Sequence, residues 1–256
     1  MANSHKILSI TPLPNKISLH PCTLNVTELA QEQEFKEVGN GNSQYGNAWW
    51  SNPDCPYSFV YLSLDSLYRR DYFWLPIGHP IEASAEKIYG YMQEVYTAIF
   101  NRPFSSILEL GSGGGEITKC FAKNNLDYVV VEGTTEGVER LISRGIDKFR
   151  IWKYNLKFMP LLKRKFDIVM CTEVAEHIEP FFASKVVDNC IQHSDVVWFS
   201  AANRERQPHY HHCNEQDIQV WDNLFAHMGF PYYVEIACPD DRGTRVYMKE
   251  HPNGFR

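Results

Sequence analysis

Ser106-Ile107-Leu108-Glu109-Leu110-Gly111-Ser112-Gly113-Gly114-Gly115-Glu116-Ile117-Thr118 is the stretch that decides the fold class. An apolar run ends in an acid and meets a glycine-rich turn that opens a helical pattern. Glycine at Gly111, Gly113 and Gly115 permits a left-handed backbone and lets a ligand approach with no Cβ in the way. A structural turn alone rarely needs that freedom three times in five residues. The segment therefore reads as a cofactor-binding corner between strand and helix, and a tight turn without a ligand is the competing reading of the glycines taken alone.

A dinucleotide fingerprint, G-x-G-x-x-G, requires glycine where this chain has Glu116. Glu109 and Glu116 flank the turn, and two carboxylates there oppose a pyrophosphate, which favours a helix N-terminus free of negative charge. The spacing E-x-G-x-G-x-G instead resembles motif I of the class I S-adenosylmethionine-dependent methyltransferases. The resemblance implies a cofactor cradle of Glu109, Gly111, Ser112, Gly113 and Gly115, with an acid near the ligand's ammonium. Glu132 ends the apolar run Tyr128-Val129-Val130-Val131, twenty-one residues after Gly111. An acid at that strand tip, followed by Gly133, is placed to accept hydrogen bonds from both ribose hydroxyls.

Further along, Phe166-Asp167-Ile168-Val169-Met170-Cys171-Thr172-Glu173-Val174-Ala175-Glu176-His177-Ile178 looks like motif IV of the same family, a buried strand with a Glu-His pair at a helix start. The resemblance adds Thr172 and Glu173 to the cofactor set. Trp152-Lys153-Tyr154-Asn155-Leu156 falls where the family holds the adenine. The chain departs from the family there, because Asn155 replaces the usual acid; its amide oxygen can still accept from an exocyclic amine. The matched segments run from about Ser105 to Lys249.

Composition agrees with a globular enzyme. At 256 residues, 44% apolar and 22% charged, the chain can bury a sizeable core. The expected organisation is residues 1–80 as an N-terminal extension that caps cofactor and substrate, and residues 81–256 as the cofactor-binding domain. A net charge of −6 opposes a large nucleic-acid footprint, and the only tight basic run, Lys163-Arg164-Lys165, reads as a solvated loop. Seven scattered cysteines form no C-x-x-C pair, which suggests reduced thiols in the cytoplasm. Lys6, Pro12, Pro14 and Lys16 interrupt any secretory pattern near Met1, and no apolar run approaches membrane-spanning length, so no membrane association is expected. Nothing in the sequence chooses between monomer and homodimer.

From Glu82 to Phe100, apolar Ile88, Tyr91, Met92, Val95, Tyr96 and Ile99 recur at a helical period. Strands then alternate with helices: Ile107–Leu110, Tyr128–Val131, Arg150–Tyr154, Phe166–Cys171 and Asp195–Ser200 as strands; Glu116–Asn124, Thr135–Ser143, Pro180–Gln192 and Gln216–Met228 as helices. Tyr232–Ala237 and Arg245–Met248 follow as a hairpin across Pro239-Asp240-Asp241-Arg242-Gly243. The expectation is an α/β, Rossmann-like, doubly wound and mostly parallel seven-stranded sheet with an antiparallel last strand. In such a sheet the ligand lies outside the carboxyl ends of the strands, where strand order reverses.

The loop after Ser200 holds His209-Tyr210-His211-His212-Cys213-Asn214-Glu215-Gln216. His212, Asn214, Glu215, Gln216 and Trp221 resemble a His-x-Asn-Glu-Gln element that precedes a Trp-bearing helix in family members with sugar or small-molecule substrates. Three readings stay open. His212 is a general base for a hydroxyl acceptor, with His177 the second choice. Alternatively, His209, His211, His212 and Cys213 bind a divalent metal, although four donors in five residues rarely converge on one ion. The third reading has Asn214 cap the next helix while the histidines only support the loop. His177 could equally be a packing residue. Glu173 and Glu176 could bind a divalent ion, orient a histidine, or complement a helix dipole.

The resemblance thus implies methyl transfer from S-adenosylmethionine to a hydroxyl of a sugar, glycan or other small molecule. N-methylation, a cofactor-holding protein without turnover, and a NAD-dependent oxidoreductase are the alternatives. The aromatic-rich stretch from Tyr45 to Trp74 fits an acceptor wall or an ordinary satellite core equally.

Overall fold

The computed structural model describes residues 10–12, 49–52, 55–61, 82–203, 212–236 and 243–252. Its strands are β1 (Ile10–Pro12), β2 (Trp49–Asn52), β3 (Cys55–Tyr61), β4 (Ser106–Leu110), β5 (Asp127–Glu132), β6 (Ile151–Lys153), β7 (Ile168–Thr172), β8 (Val196–Ser200), β9 (Tyr232–Ile236) and β10 (Thr244–Met248). The helices are α1 (Glu82–Phe100), α2 (Glu116–Lys123), α3 (Thr135–Ser143), α4 (Ala183–Ile191) and α5 (Ile218–His227).

The main sheet has the order β1-β9-β10-β8-β7-β4-β5-β6, and β2 pairs with β3 in a separate hairpin. Strands β4, β5, β6, β7 and β8 pair in parallel, and β10 runs antiparallel between β8 and β9. This is the expected seven-stranded sheet with one short addition. Ile10–Pro12 pairs antiparallel with Tyr232–Ile236 at the edge. Proline lacks an N–H for a ladder, so an edge is where a strand ending in Pro12 is tolerated. Pro239 to Arg242 of the expected turn and the aromatic stretch outside β2 and β3 lie outside the described residues.

Strict alternation along the central strands builds two cores. Ile107, Val130, Ile168, Met170, Trp198 and Val246 face one side with the apolar stripe of α1, while Leu108, Val131, Val169, Phe199 and Tyr247 face the other with α4 and α5. Strands read as near-continuous apolar runs because helices cover both faces. Trp221, singled out in sequence beside the histidine loop, is fully buried in the second core against Phe199.

Asp167 joins the end of α1 to the start of the sheet. Its carboxylate accepts from Arg102 Nη2, Ser105 N, Ser105 Oγ and Ser106 N at 2.8, 2.8, 2.8 and 3.0 Å. Burial would raise its pKa, but these hydrogen bonds prevail and hold it at about 2. The folded pKa therefore lies below the unfolded value, so the stabilisation is complete above pH 4 or so and is lost as pH falls through about 2. Asp167→Asn should destabilise the protein by about 1–2 kcal/mol at neutral pH, after allowance for solvent screening. In urea titrations the gap from wild type should narrow steadily as pH falls from about 4 to about 2, between the unfolded and folded pKa values; a pH-independent gap would contradict this account.

Candidate active site

Strand order reverses between β4 and β7, and the loops leaving these two strands meet there. Gly111, Gly113 and Gly115 all adopt positive φ, at 78°, 52° and 79°. A Cβ on Gly111 would stand 2.5 Å from Val174 Cγ2 in the loop after β7, so glycine is required by both backbone and space. Gly111 N–H donates to Val131 O at 2.8 Å, tying the turn to β5.

The period-2 register turns Glu109 toward α2, where Thr118 Oγ1 donates to its carboxylate. Glu109 is 3% exposed, and burial pushes its pKa up to about 8. Glu116 is paired with Arg144. The carboxylate repulsion expected around the turn is thus weaker in the fold than in the sequence, since one acid is held largely protonated at neutral pH and the other is neutralised.

Glu132 is buried at the tip of β5. One carboxylate oxygen accepts from Ser112 N and Oγ at 3.3 and 3.0 Å, the other from Thr134 N and Oγ1 at 3.0 and 2.9 Å. Burial raises its pKa against the pull of these four donors. Sequence reasoning missed Gly137, in the first turn of α3. A Cβ there would stand 2.7 Å from both Glu132 Cδ and Cγ, so the missing side chain makes the space in which the carboxylate lies.

Next to β6, Asn155 Oδ1 accepts from Lys157 N at 3.0 Å. The acceptor proposed for adenine is therefore already used once, with a second lone pair remaining. Leu156 is 7% exposed within the second core, and its carbonyl accepts from Asn189 Nδ2 at 2.6 Å. Thr172 ends β7 opposite Ser200. Glu173 has φ 54°, unusual for a residue with a side chain. Its N–H donates to Ser200 O at 3.0 Å and its carboxylate accepts from Ser200 Oγ at 2.8 Å, which hold the strained backbone in place.

The Glu-His pair does not start a helix, as the sequence suggested. Ala175–His177 form a separate 3₁₀ turn, a second one spans Pro180–Phe182, and α4 begins only at Ala183. Nor does Asn214 cap α5, whose N-cap is Asp217. Instead Cys213 N and Asn214 N both donate to Glu176 O at 2.9 Å, and Asn214 Nδ2 donates to Ala175 O at 3.2 Å. This clamp fastens the histidine loop onto the turn after β7. It brings the His212 and His177 rings to 4.7 Å between centroids, edge to face, with His212 Nδ1 at 2.7 Å from Glu215 Oε1. His209 and His211 lie outside the described residues.

The corner that holds Glu132, the glycine turn and the paired histidines occupies the crevice at the switch point of the sheet. Residues 84–233, more than half of the chain, match a family model described as a methyltransferase domain. The chain belongs to that family. It is a class I S-adenosylmethionine-dependent methyltransferase by family and fold. No curated protein matches it. Among solved structures, Streptomyces venezuelae DesVI aligns with a TM-score of 0.56 at 16% identity over 70% of this chain and 96% of that one. The methyltransferase domain of a bacterial Hen1, CtHen1-C, aligns with 0.50 at 15% identity over 65% and 97%. Identities this low speak to fold alone.

The residues present suit the family's cofactor: a buried acid at the β5 tip, a turn whose glycines leave its backbone open, and a buried acid on β4. For the methyltransferase, Gly137→Ala separates cradle from stability. Alanine favours a helix by about 1 kcal/mol over glycine, which offsets a local overpacking cost of about 1–3 kcal/mol. The melting temperature should therefore shift by only a few degrees, while affinity for S-adenosylhomocysteine falls about tenfold as Glu132 is pushed aside. Calorimetric titration of the variant checks both halves; unchanged affinity would show that Glu132 needs no such space.

Among the described residues no helix is long and apolar enough to cross a membrane. Arg164 and Lys165 of the basic run pair with Asp127 and Asp195, as a solvated loop should. Among the described residues Cys120, Cys171, Cys190 and Cys213 form no disulfide.

Proposed function

We propose that this methyltransferase methylates a hydroxyl oxygen of a sugar, glycan or other small molecule, and that the acceptor's proton is lost at the His177–His212 pair. The observation that carries the reading is the clamp by which Asn214 and Cys213 bind the Ala175–His177 turn, since it sets two imidazoles beside the carboxyl end of β7. S-adenosylmethionine supplies an electrophilic methyl group with a good leaving group already attached. The protein's task is then to align the acceptor and take one proton. A hydroxyl, with a pKa far above 7, needs that help more than an amine does.

Cofactor contacts fall to Glu132, Gly111, the backbone of Ser112, Gly113, Gly115, Gly133, Glu109 and Asn155, with Leu156, Thr172 and Glu173 shaping the walls. We assign residues 1–80 the role of cap over cofactor and acceptor, apart from Ile10–Pro12, which extends the edge of the main sheet instead. A net charge of −6 favours an uncharged or weakly charged acceptor over a polyphosphate chain, and a cytoplasmic setting follows from the scattered thiols.

The test is a label-transfer screen with methyl-labelled cofactor against sugars, glycans, phenols, amines and a short RNA. Transfer to a hydroxyl of the first three classes is the expected result. Transfer only to amines would replace the oxygen assignment, and transfer only to RNA would replace the small-molecule one. Calorimetry with S-adenosylhomocysteine and NAD, in which only the former binds, checks the cofactor independently.

A further inference from the structure

Glu176, His177 and His212 come from two segments thirty-five residues apart in sequence, yet each presents one ligand-type atom within 4.8 Å of the other two. The geometry points to a divalent-metal site made of one carboxylate and two imidazoles, adjoining the crevice at the carboxyl end of β7. Its role in catalysis rests on the methyl-transfer reading; the binding of an ion does not.

Three features set this cluster apart from a chance meeting of polar residues. The first is its spacing. Donor atoms bound to one ion at about 2.1 Å lie about 3.0–3.4 Å apart at octahedral or tetrahedral angles, so the closing movement needed is at most about 1 Å per side chain. The second is preorganisation. The backbone N–H groups of Cys213 and Asn214 grip Glu176 O, and Asn214 Nδ2 grips Ala175 O, so the segment carrying His212 is fastened to the residues that flank Glu176 and His177. Gln216 Nε2 in turn donates to Asn214 Oδ1 at 3.0 Å and supports the clamp. The third is outer support. His212 Nδ1 lies 2.7 Å from Glu215 Oε1, the carboxylate–imidazole contact that fixes the tautomer of a metal-bound histidine and leaves Nε2 as the ligand nitrogen.

The set also indicates the class of ion. Two imidazoles with one carboxylate suit Mn²⁺, Fe²⁺, Co²⁺ or Zn²⁺ better than Mg²⁺, which favours an all-oxygen shell and gives up water reluctantly. Glu176 is fully buried, so the carboxylate has little bulk water around it. Three protein ligands leave coordination positions for a substrate oxygen. A hydroxyl bound there is more acidic, so with an ion in place the two histidines would promote proton loss through the metal rather than by taking the proton themselves.

The test uses the full chain, freed of metal with a chelator and returned to chelator-free buffer. Co²⁺ is the probe, followed by its visible absorption and by calorimetry, with Mg²⁺ titrated in parallel. One equivalent of Co²⁺ is expected to bind, with Mg²⁺ much weaker. His177→Ala and His212→Ala should each weaken Co²⁺ at least about a hundredfold, and Glu215→Gln about tenfold, as loss of a supporting contact does. His227→Ala, an exposed histidine on α5, should bind like wild type. Because removing buried Glu176 could unfold the protein, Glu176→Gln is read only alongside its circular dichroism. Absence of stoichiometric Co²⁺ binding, or binding insensitive to both histidine changes, would overturn the site. S-adenosylhomocysteine titrated into the same samples keeps the two readings apart: binding of it without Co²⁺ removes the metal site alone, and binding of Co²⁺ without it supports the site while removing the cofactor reading.

Discussion

His212→Ala is expected to lower the methyl-transfer rate by about 10²–10⁴-fold, the range for losing positioned proton-transfer help, while S-adenosylhomocysteine affinity stays close to wild type. The expectation follows from placement. His212 sits on the loop after β8, stapled to the turn after β7, whereas the carboxylate proposed for the ribose lies across the switch point at the tip of β5. The substitution therefore removes a group from the acceptor side without touching the cofactor cradle. Single-turnover rates with a preloaded cofactor separate chemistry from binding. An equal fall in cofactor affinity would move His212 to the cofactor side, and wild-type turnover would reduce the loop to a lid. His177→Ala should resemble it, because the two rings are in contact. The double variant should lose far less than the product of the two effects, as expected when residues act as a unit.

What the sequence disclosed about this site and what it did not have a common physical origin. The glycine turn, the acid at the end of β5 and the alternating apolar strands are local: each depends on residues within one turn or one strand, so spacing and side-chain type reveal them. The positive φ of Gly111 is legible as glycine because few other residues tolerate it. The same conformation at Glu173 leaves no trace in the sequence, since only the contact with Ser200, twenty-seven residues on, shows what holds it. Asn214 misleads for a related reason. Its place ahead of a helix fits a cap, and only the fold reveals that its amide is directed to Ala175 instead. Gly137 looks like an ordinary glycine in a short helix until Glu132 is found folded into the space it leaves. The convergence of Glu176, His177 and His212 is likewise tertiary. The histidine-rich run invites a local metal site within itself, whereas His212 meets partners contributed by the preceding strand's loop.

Glu132→Ala carries the second large effect, an expected tenfold to hundredfold loss of affinity for S-adenosylhomocysteine. Hydrogen bonds to an ionised acceptor are worth about 1.5–3 kcal/mol, which is the size of that loss. The structure adds a condition that the sequence does not. A carboxylate offers about four lone-pair positions, and here Ser112 and Thr134 donate four hydrogen bonds to it. Ribose hydroxyls must then displace donors rather than find the acid bare. The Ser112 bonds, at 3.3 and 3.0 Å, are on average longer than the Thr134 bonds, at 3.0 and 2.9 Å, and belong to the glycine turn itself, so they are the ones to yield. Two consequences separate this account from a merely structural role for Glu132. Ser112→Ala removes the competing hydroxyl, so its affinity should stay within about threefold of wild type or improve slightly, a shift below the worth of one ordinary hydrogen bond. Glu132→Gln retains one carbonyl acceptor of the same shape and should fall between wild type and Glu132→Ala. Calorimetric titration of the three variants, each verified as folded by circular dichroism, provides the order. If Ser112→Ala loses as much affinity as Glu132→Ala, the serine hydroxyl is itself a cofactor contact and the exchange at Glu132 does not occur.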